Sequence, residues 1–228
     1  DYMERMATCS KEFAAMITET QKMHDGTQVV VGGDHSIAYA SILAQLTLHA
    51  PEDIGMIQFD THGDINTVLE SPSGNFHGMH MRALTDPDFD NEHLRDIPNH
   101  LYTDHLLYIG NLDLDPGEQS FIQNKHIRTI DRNEIKKDVE VVQEEIRQYC
   151  SRFQHLHISF DIDVFDKTIV SATGTPSEAG LFEEDIFPIL HILPKTHISV
   201  DLVEVNPRKP NALTTIELGQ KVLHAILN

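Results

Sequence analysis

The 228-residue chain has no tryptophan, two cysteines, and only 17 Lys+Arg against 36 Asp+Glu. The shortage of positive charge leaves a formal net charge of −19. A surface that acidic repels phosphate backbones and anionic headgroups, which argues against nucleic-acid and membrane-surface partners. Cys9 and Cys150 belong to no CxxC or Cys/His cluster, so a disulfide framework is not expected and an intracellular, cytoplasmic protein is. No apolar run approaches the ~20 residues needed to span a bilayer. The opening DYMERMATCSKEF is polar and helical in pattern, unlike a signal peptide, and Met3, Met6, Met16 and Met23 read as packing on that first helix. No repeat or Pro/Gly-rich linker divides the chain, so residues 1–228 read as one domain. The first residue is Asp1 and not Met, and a chain incomplete at its amino end is expected.

Imidazole and carboxylate are what the sequence has in quantity: 15 His beside 36 acids. That mixture suits hard and borderline divalent metals. A solvated acidic surface explains the same composition, so position must decide. Apolar runs at Gln28–Val31, Ile54–Asp60, Leu106–Gly110, Ile127–Asp131, Leu156–Asp161 and Ile198–Val205 read as strands. Helices are expected over Ser36–His49, Pro116–Asn124, Asp138–Phe153, Glu183–Leu193 and Thr214–Leu227. In the clearest, Val139, Val142, Ile146, Tyr149 and Phe153 recur at helical spacing. Strands separated by helices imply a mostly parallel central sheet covered on both faces, which binds ligands at the carboxyl ends of its strands.

Unusual residues gather at those ends. The first strand runs into VVVGGDHSI, delivering Asp34 and His35; the second into QFDTHGDIN, with Asp60, His62 and Asp64 at i, i+2 and i+4. If the backbone stays extended, all three point one way. SFDIDVFD places Asp161 and Asp163 alike, and DLVEVNP ends a fourth strand with Glu204. Four carboxylates and two imidazoles at one rim could not all stay charged without a counter-charge. Two divalent cations sharing some carboxylates supply it, the pattern of two-metal hydrolases. Taken singly, GGDHS reads as a strand-to-helix turn with a cap, and each DxD is ambiguous; the joint set is what points to metal.

GGDHS, DxHxD, SFDxD and EVNP, in that order over most of the chain, resemble the ureohydrolases: arginase, agmatinase, formimidoylglutamase and relatives. The resemblance implies a three-layer α/β/α fold and two Mn²⁺ per subunit. His35, Asp60, Asp64 and Asp161 would hold one ion; Asp60, His62, Asp161 and Asp163 the other, with Asp60 and Asp161 bridging. DINTVLESPSGNFHG is similar to the arginase loop that grips a substrate α-carboxylate, pointing to Asn66, Ser73 and Asn75, with His77 as proton donor. YIGNLDLDPGE resembles the stretch that recognises the α-ammonium, through Asp113, Asp115 and Glu118, while ATGTP contributes Thr175. Glu204 would pair with the guanidinium, a planar cation that favours a carboxylate partner. The implied reaction is hydrolysis of L-arginine to L-ornithine and urea by a metal-bridging hydroxide, with Asp163 relaying its proton, in a homo-oligomer (trimer or hexamer).

The chain also departs from the family pattern. DTHGD stands for DAHAD, Val164-Phe165-Asp166-Lys167 stands where GLDP is usual, and family members have a longer stretch before GGDHS, so the N-terminal strand region of the sheet is expected to be lacking. Agmatine or another guanidino or formimino acid is the alternative substrate; a deacetylase-type relative with one Zn²⁺ and a non-catalytic metal-binding member are the other readings. His24, His49, His93, His100, His126, His191 and His224 show no partner pattern, His80 is a minor candidate, and the acidic run Glu183–Asp185 reads as a helix start.

Overall fold

Each apolar run is bounded by a turn residue or a cap, and each becomes a strand in the computed structural model, which describes residues 1–228. The strands are β1 (Gln28–Val31), β2 (Ile54–Phe59), β3 (Leu106–Ile109), β4 (Arg128–Ile130), β5 (His155–Asp161) and β6 (Ile198–Val203). They form one sheet in the order β1-β6-β5-β2-β3-β4. Every pairing is parallel, where a mostly parallel sheet was expected. The helices are α1 (Tyr2–Met23), α2 (Ile37–Leu48), α3 (His80–Thr85), α4 (Glu92–Arg95), α5 (Pro116–Asn124), α6 (Arg132–Lys137), α7 (Val139–Cys150), α8 (Glu183–Leu190) and α9 (Ala212–Leu227). None is long and apolar enough to cross a membrane.

Strand alternation sorts the core into two layers. Ile54 and Met56 of β2 and Leu106 and Tyr108 of β3 pack with α1 to α5. Ile57, Phe59, Leu107 and Ile109 face the other way, with α6 to α9. The result is the three-layer α/β/α arrangement. Helix α2 is buried almost all round, from Ala38 to Leu46, because it lies between the sheet and α1, which explains its unbroken apolar sequence. Of the methionines read as packing on α1, Met3 is buried and Met6 packs against the core, but Met16 is 59% and Met23 70% exposed. Their positions fall on the solvent face of the helix.

The strands stop one or two residues before the sequence reading ends them, at Phe59, Ile109, Ile130 and Val203, because the polar residues that follow leave the ladder. Asp131, read as the end of β4, instead caps α6, accepting a hydrogen bond from the Glu134 N–H at 2.8 Å. The acidic run at Glu183–Asp185 does begin a helix: Asp185 accepts from the Phe182 N–H at 3.0 Å and from Arg132 Nε at 2.8 Å.

Topology fixes where a ligand can sit. From β2 the chain moves outward through β3 to β4, then returns to β5 and proceeds the other way to β6. The order therefore reverses between β2 and β5, and the crevice beyond their carboxyl ends is open to a ligand. Phe59 pairs with Phe160, so the next residues, Asp60 and Asp161, emerge side by side there.

Tyr149 ties α7 to the sheet: its hydroxyl lies 2.8 Å from Met56 O and 2.7 Å from His105 O, and accepts the Met56 N–H at 3.1 Å. Tyr149→Phe leaves buried backbone groups without that partner and should destabilise by about 1–3 kcal/mol in denaturant unfolding. An unchanged midpoint would show that the hydroxyl contributes nothing.

Candidate metal centre and substrate cleft

The acids and imidazoles converge, though not by the extended geometry expected. Beyond Phe59 the backbone turns: Asp60 Oδ1 accepts the His62 N–H at 2.7 Å, and Asp64 sits in the left-handed region at φ 51°. The second motif repeats the device, with Asp161 Oδ1 accepting the Asp163 N–H at 2.8 Å. Each aspartate at a strand end thus folds its own loop back over the rim. A Cβ on Gly110, at the end of β3, would overlap the Asp60 carbonyl, so only glycine fits there. Tyr108 donates its hydroxyl to Gly63 O at 2.5 Å, and Glu118 Oε1 accepts the Ile65 N–H at 3.0 Å, which pins the loop carrying Asp64.

His35 Nδ1 lies 3.3 Å from Asp60 Oδ2, 2.9 Å from Asp64 Oδ2 and 3.1 Å from Asp161 Oδ2. His62 Nδ1 lies 3.5 Å from Asp60 Oδ1 and 3.3 Å from Asp163 Oδ2. Asp60 therefore turns one oxygen to each imidazole. Asp161 faces His35 with Oδ2 and spends Oδ1 on its own loop. Asp60, Asp161, Asp163 and His35 are each no more than 2% exposed.

This donor set fits divalent cations on the structure's own terms. Burying an uncompensated carboxylate costs several kcal/mol, and four are crowded here. His35 Nδ1 and Asp163 Oδ1 are buried without a satisfactory hydrogen-bond partner. Three groups of donor atoms close enough to share an ion are present: His35–Asp60–Asp161, Asp60–His62–Asp163 and His35–Asp64–His80.

Without a cation, protons must do the balancing. Burial disfavours the imidazolium of His62, but Asp163 and Asp60 outweigh it and lift its pKa from 6.5 to about 12. His35 is likewise raised well above its usual value: burial opposes the charge, and Asp161, Asp60 and Asp64 override it. Burial, then Asp163 and Asp60, push Asp161 well up, whereas His35 and His62 overcome burial and hold Asp60 down.

A cleft of about 340 Å³ opens over these groups. Its lining takes in His35, His62, Asp64, Asp161, Asp163, Asn66, Ser73, His77, Asp113, Asp115, Glu118, Thr175 and Glu204. Asp60 lies beneath, fully buried. Asn75 is not in the lining; it is exposed on the same loop, where its N–H donates to Ser73 Oγ at 3.2 Å. Ser71, Pro72, Leu114 and Gly174 line the cleft without having been singled out in the sequence. Thr175 donates its hydroxyl to Asp163 Oδ2 at 3.1 Å. Asn66 Nδ2 donates to Asp115 Oδ2 at 2.8 Å. Glu118 is buried as part of the capping box of α5, accepting from the Asp115 N–H at 3.0 Å, and burial raises its pKa to about 7.

Glu204 is held at φ 65°, its N–H donating to Gly33 O at 2.7 Å while Oε1 accepts the His35 N–H at 2.7 Å. Its carboxylate thus clamps the GGDH turn. Asp34 turned out to have a role that position alone did not reveal: Oδ2 lies 2.9 Å from His77 Nδ1, and Oδ1 accepts the Ser36 N–H at 3.0 Å.

The departures from the family pattern find local explanations. Thr61 donates its hydroxyl to Asp163 O at 3.0 Å, linking the two ligand loops. A Cβ at Gly63 would meet Leu114 Cδ2 at 2.8 Å and Glu118 Oε1 at 3.0 Å, so an alanine there requires those two side-chain tips to shift. Val164 and Phe165 are fully buried in the core and stay out of the cleft lining.

An all-parallel α/β sheet with acids and imidazoles gathered at its switch point places a donor set suited to divalent cations at the floor of a polar cleft. The chain belongs to the arginase family, whose family model matches residues 2–228. It is 39% identical over 184 residues to the arginase of Staphylococcus aureus (strain COL), covering 78% of this chain and 60% of that protein. It is 34% identical over 202 residues to the arginase of Entamoeba histolytica, covering 86% of this chain and 66% of that one. The chain therefore spans about 60% of the length of the first curated relatives it matches. Among solved structures, Entamoeba histolytica arginase in complex with L-ornithine superposes with a TM-score of 0.88 at 30% identity, covering 98% of this chain and 76% of that one. Bacillus subtilis arginase gives 0.89 at 26%, covering 98% and 79%. The agmatine ureohydrolase of Thermoplasma volcanium, at 20% identity and a TM-score of 0.72, shares the fold over 97% of this chain and 68% of that one.

If protons and cations compete for the same rim, cation binding must expel the protons on His35 and His62. Calorimetric titration of the protein with Mn²⁺ near pH 7, in buffers of different ionisation enthalpy, should show net release of protons on binding, and affinity should fall as the pH is lowered. Heats independent of the buffer would contradict it. The metal-free fold carries the opposite sign. A histidine raised from 6.5 to about 12 gives its full stabilisation below about pH 6.5 and loses it progressively as pH rises. Chelated protein should therefore melt lower at pH 9 than at pH 6, and an equal or higher melting temperature at pH 9 would contradict it.

Proposed function

We propose that the chain holds two Mn²⁺ at this rim and hydrolyses the guanidinium of L-arginine to L-ornithine and urea. The observation that supports this most strongly is Asp60, whose two oxygens face two different imidazoles, each flanked by a further aspartate. One ion would rest on His35, Asp60, Asp64 and Asp161; the other on Asp60, His62 and Asp163, with Asp161 able to reach it if its loop hydrogen bond yields. Bound there, the pair of cations would supply an acidified water as nucleophile and screen the charge that develops.

The chain's own groups would do the positioning. Glu204 has one oxygen engaged by the His35 N–H, leaving Oε2 to accept from the guanidinium. Asp163 Oδ1 is buried and unpartnered, and would accept the proton of the attacking water. Asp34 orients the His77 ring through Nδ1 and raises its pKa, which leaves Nε2 to donate a proton to the departing amine. At the other end of the cleft, Asp115 and Asp113 would receive the α-ammonium, with the buried Glu118 holding their loop. Asn66 spends one amide N–H on Asp115 and has a second to offer the substrate α-carboxylate. Ser73 would then bind the α-carboxylate, joined by Asn75 once it turns in from its exposed position.

The test is urea production by Mn²⁺-loaded protein given L-arginine or agmatine, beside an Asp163→Ala variant. Arginine should release urea far above that variant. Asp115→Ala should lower kcat/KM for arginine by about 30-fold, the ~2 kcal/mol of a truncated charge pair in a half-buried site, and leave any agmatine turnover unchanged. Urea from agmatine in preference to arginine would reassign the substrate. No release from either substrate above the Asp163→Ala level would end the ureohydrolase reading.

A further inference from the structure

Glu204 follows β6, and the chain then turns on Asn206. Asn206 Oδ1 accepts the Arg208 N–H at 3.0 Å, and its carbonyl accepts the Lys209 N–H at 3.2 Å. Asparagine in the first position and Pro207 in the second are the residues such a turn favours. The turn carries Lys209 back over the loop of residues 172–175.

Lys209 is half-buried and lies outside the cleft lining. Its ammonium donates to the carbonyl of Thr173 and, at 3.2 Å, to that of Gly174. Of the 17 Lys+Arg in the chain, one is thus committed to two loop carbonyls. Nearby, the Asn206 N–H donates to Ala172 O at 2.8 Å, so the loop is joined to the segment after Glu204 at two points.

This loop carries the wall of the cleft beside its reacting end. Thr175 donates its hydroxyl to Asp163 Oδ2 at 3.1 Å. Gly174 lies against Glu204: a Cβ built there would stand 3.0 Å from Oε2 and meet nothing else within 4 Å. Glycine at this position leaves the space beside Oε2 free for a ligand, where any side chain would intrude. Gly174 and Thr175 both line the cleft. Two consecutive residues held by Lys209 therefore touch both Glu204, assigned to the guanidinium, and Asp163, assigned to the attacking water.

We propose that Lys209 is a positioning residue for the guanidinium, holding the backbone of residues 173–174 so that the gap between Gly174 and Glu204 Oε2 keeps the width of a planar cation. The role rests on the arginine reading of the cleft and adds to it a residue that touches no substrate. A methionine at 209 has an unbranched stem but no donor, so the two carbonyls would lose their charge-assisted anchor.

The test uses the Mn²⁺-loaded full chain and measures kcat and KM for L-arginine, with inhibition constants for guanidinium ion and for L-ornithine, which has no guanidinium. Lys209→Met should weaken inhibition by guanidinium ion about tenfold and lower kcat/KM for arginine by a similar factor, chiefly through KM. Inhibition by ornithine should change less than about twofold, and metal content should be unchanged. Lys209→Arg, which keeps a cation over the carbonyls, should recover most of the loss. Gly174→Ala leaves Lys209 in place and sets a methyl against Oε2, so inhibition by guanidinium ion should weaken there too. Should Lys209→Met not fold, Lys209→Gln takes its place with the same selectivity expected. Guanidinium inhibition unchanged in the Lys209 variant, or weakened together with that by ornithine, would overturn the positioning role and leave the arginine reading intact. Wild-type protein that releases no urea from arginine would overturn both.

Discussion

Four aspartates crowded with two imidazoles beyond the ends of β2 and β5 form the constraint on which the rest of the site depends. Such a group is unfavourable unless its charge is neutralised, and the surrounding structure is arranged to hold it in spite of that. Two of the chain's non-glycine residues with positive φ, Asp64 and Glu204, are at this rim. Conformations of that kind cost of order 1–3 kcal/mol each and persist where the surroundings enforce them. Here the enforcement is visible in Tyr108 on Gly63, Glu118 on Ile65, and Gly33 receiving the Glu204 N–H.

The sheet sets the location and the loops set the geometry. Parallel pairing of β2 with β5 puts Asp60 beside Asp161, and pairing of β1 with β6 brings Glu204 to the GGDH turn. Carboxylate-to-amide turns at Asp60 and Asp161 then place the second member of each motif over the first. Thr61 joins the two loops through the Asp163 carbonyl, so the halves of the rim are fixed relative to each other. The opposite, Asp115-bearing side of the cleft is held by a helix cap: the Glu118 carboxylate closes both the start of α5 and the loop bearing Asp64.

All six strands and the residues that meet at their ends were legible in the sequence, because apolar runs and strand-end acids are local patterns. How those residues meet was not. Period-2 geometry assumed an extended backbone through DTHGD, whereas a turn that depends on Asp60's own side chain carries the chain there. The Asp34–His77 pair spans 43 residues of separation and leaves no local signal. Helix α6 was missed because Asp131 ends an apolar run as readily as it caps a helix. The substituted turn follows Asp163 directly, but the Val164 and Phe165 side chains face the core, a direction the sequence motif does not encode. The close packing of Leu114 and Glu118 against Gly63 joins residues more than 50 positions apart, so DTHGD carries no local sign of it.

The central claim is that divalent cations, and not protons alone, neutralise this rim, with Asp60 shared between two of them. Metal content measured by mass spectrometry, after Mn²⁺ loading and exhaustive dialysis, tests it most directly. The account predicts two Mn²⁺ per chain for the wild-type protein and less than one for Asp60→Asn, since that substitution weakens both positions. A wild-type protein that retains no metal, or an Asp60→Asn variant that still retains two, would contradict it.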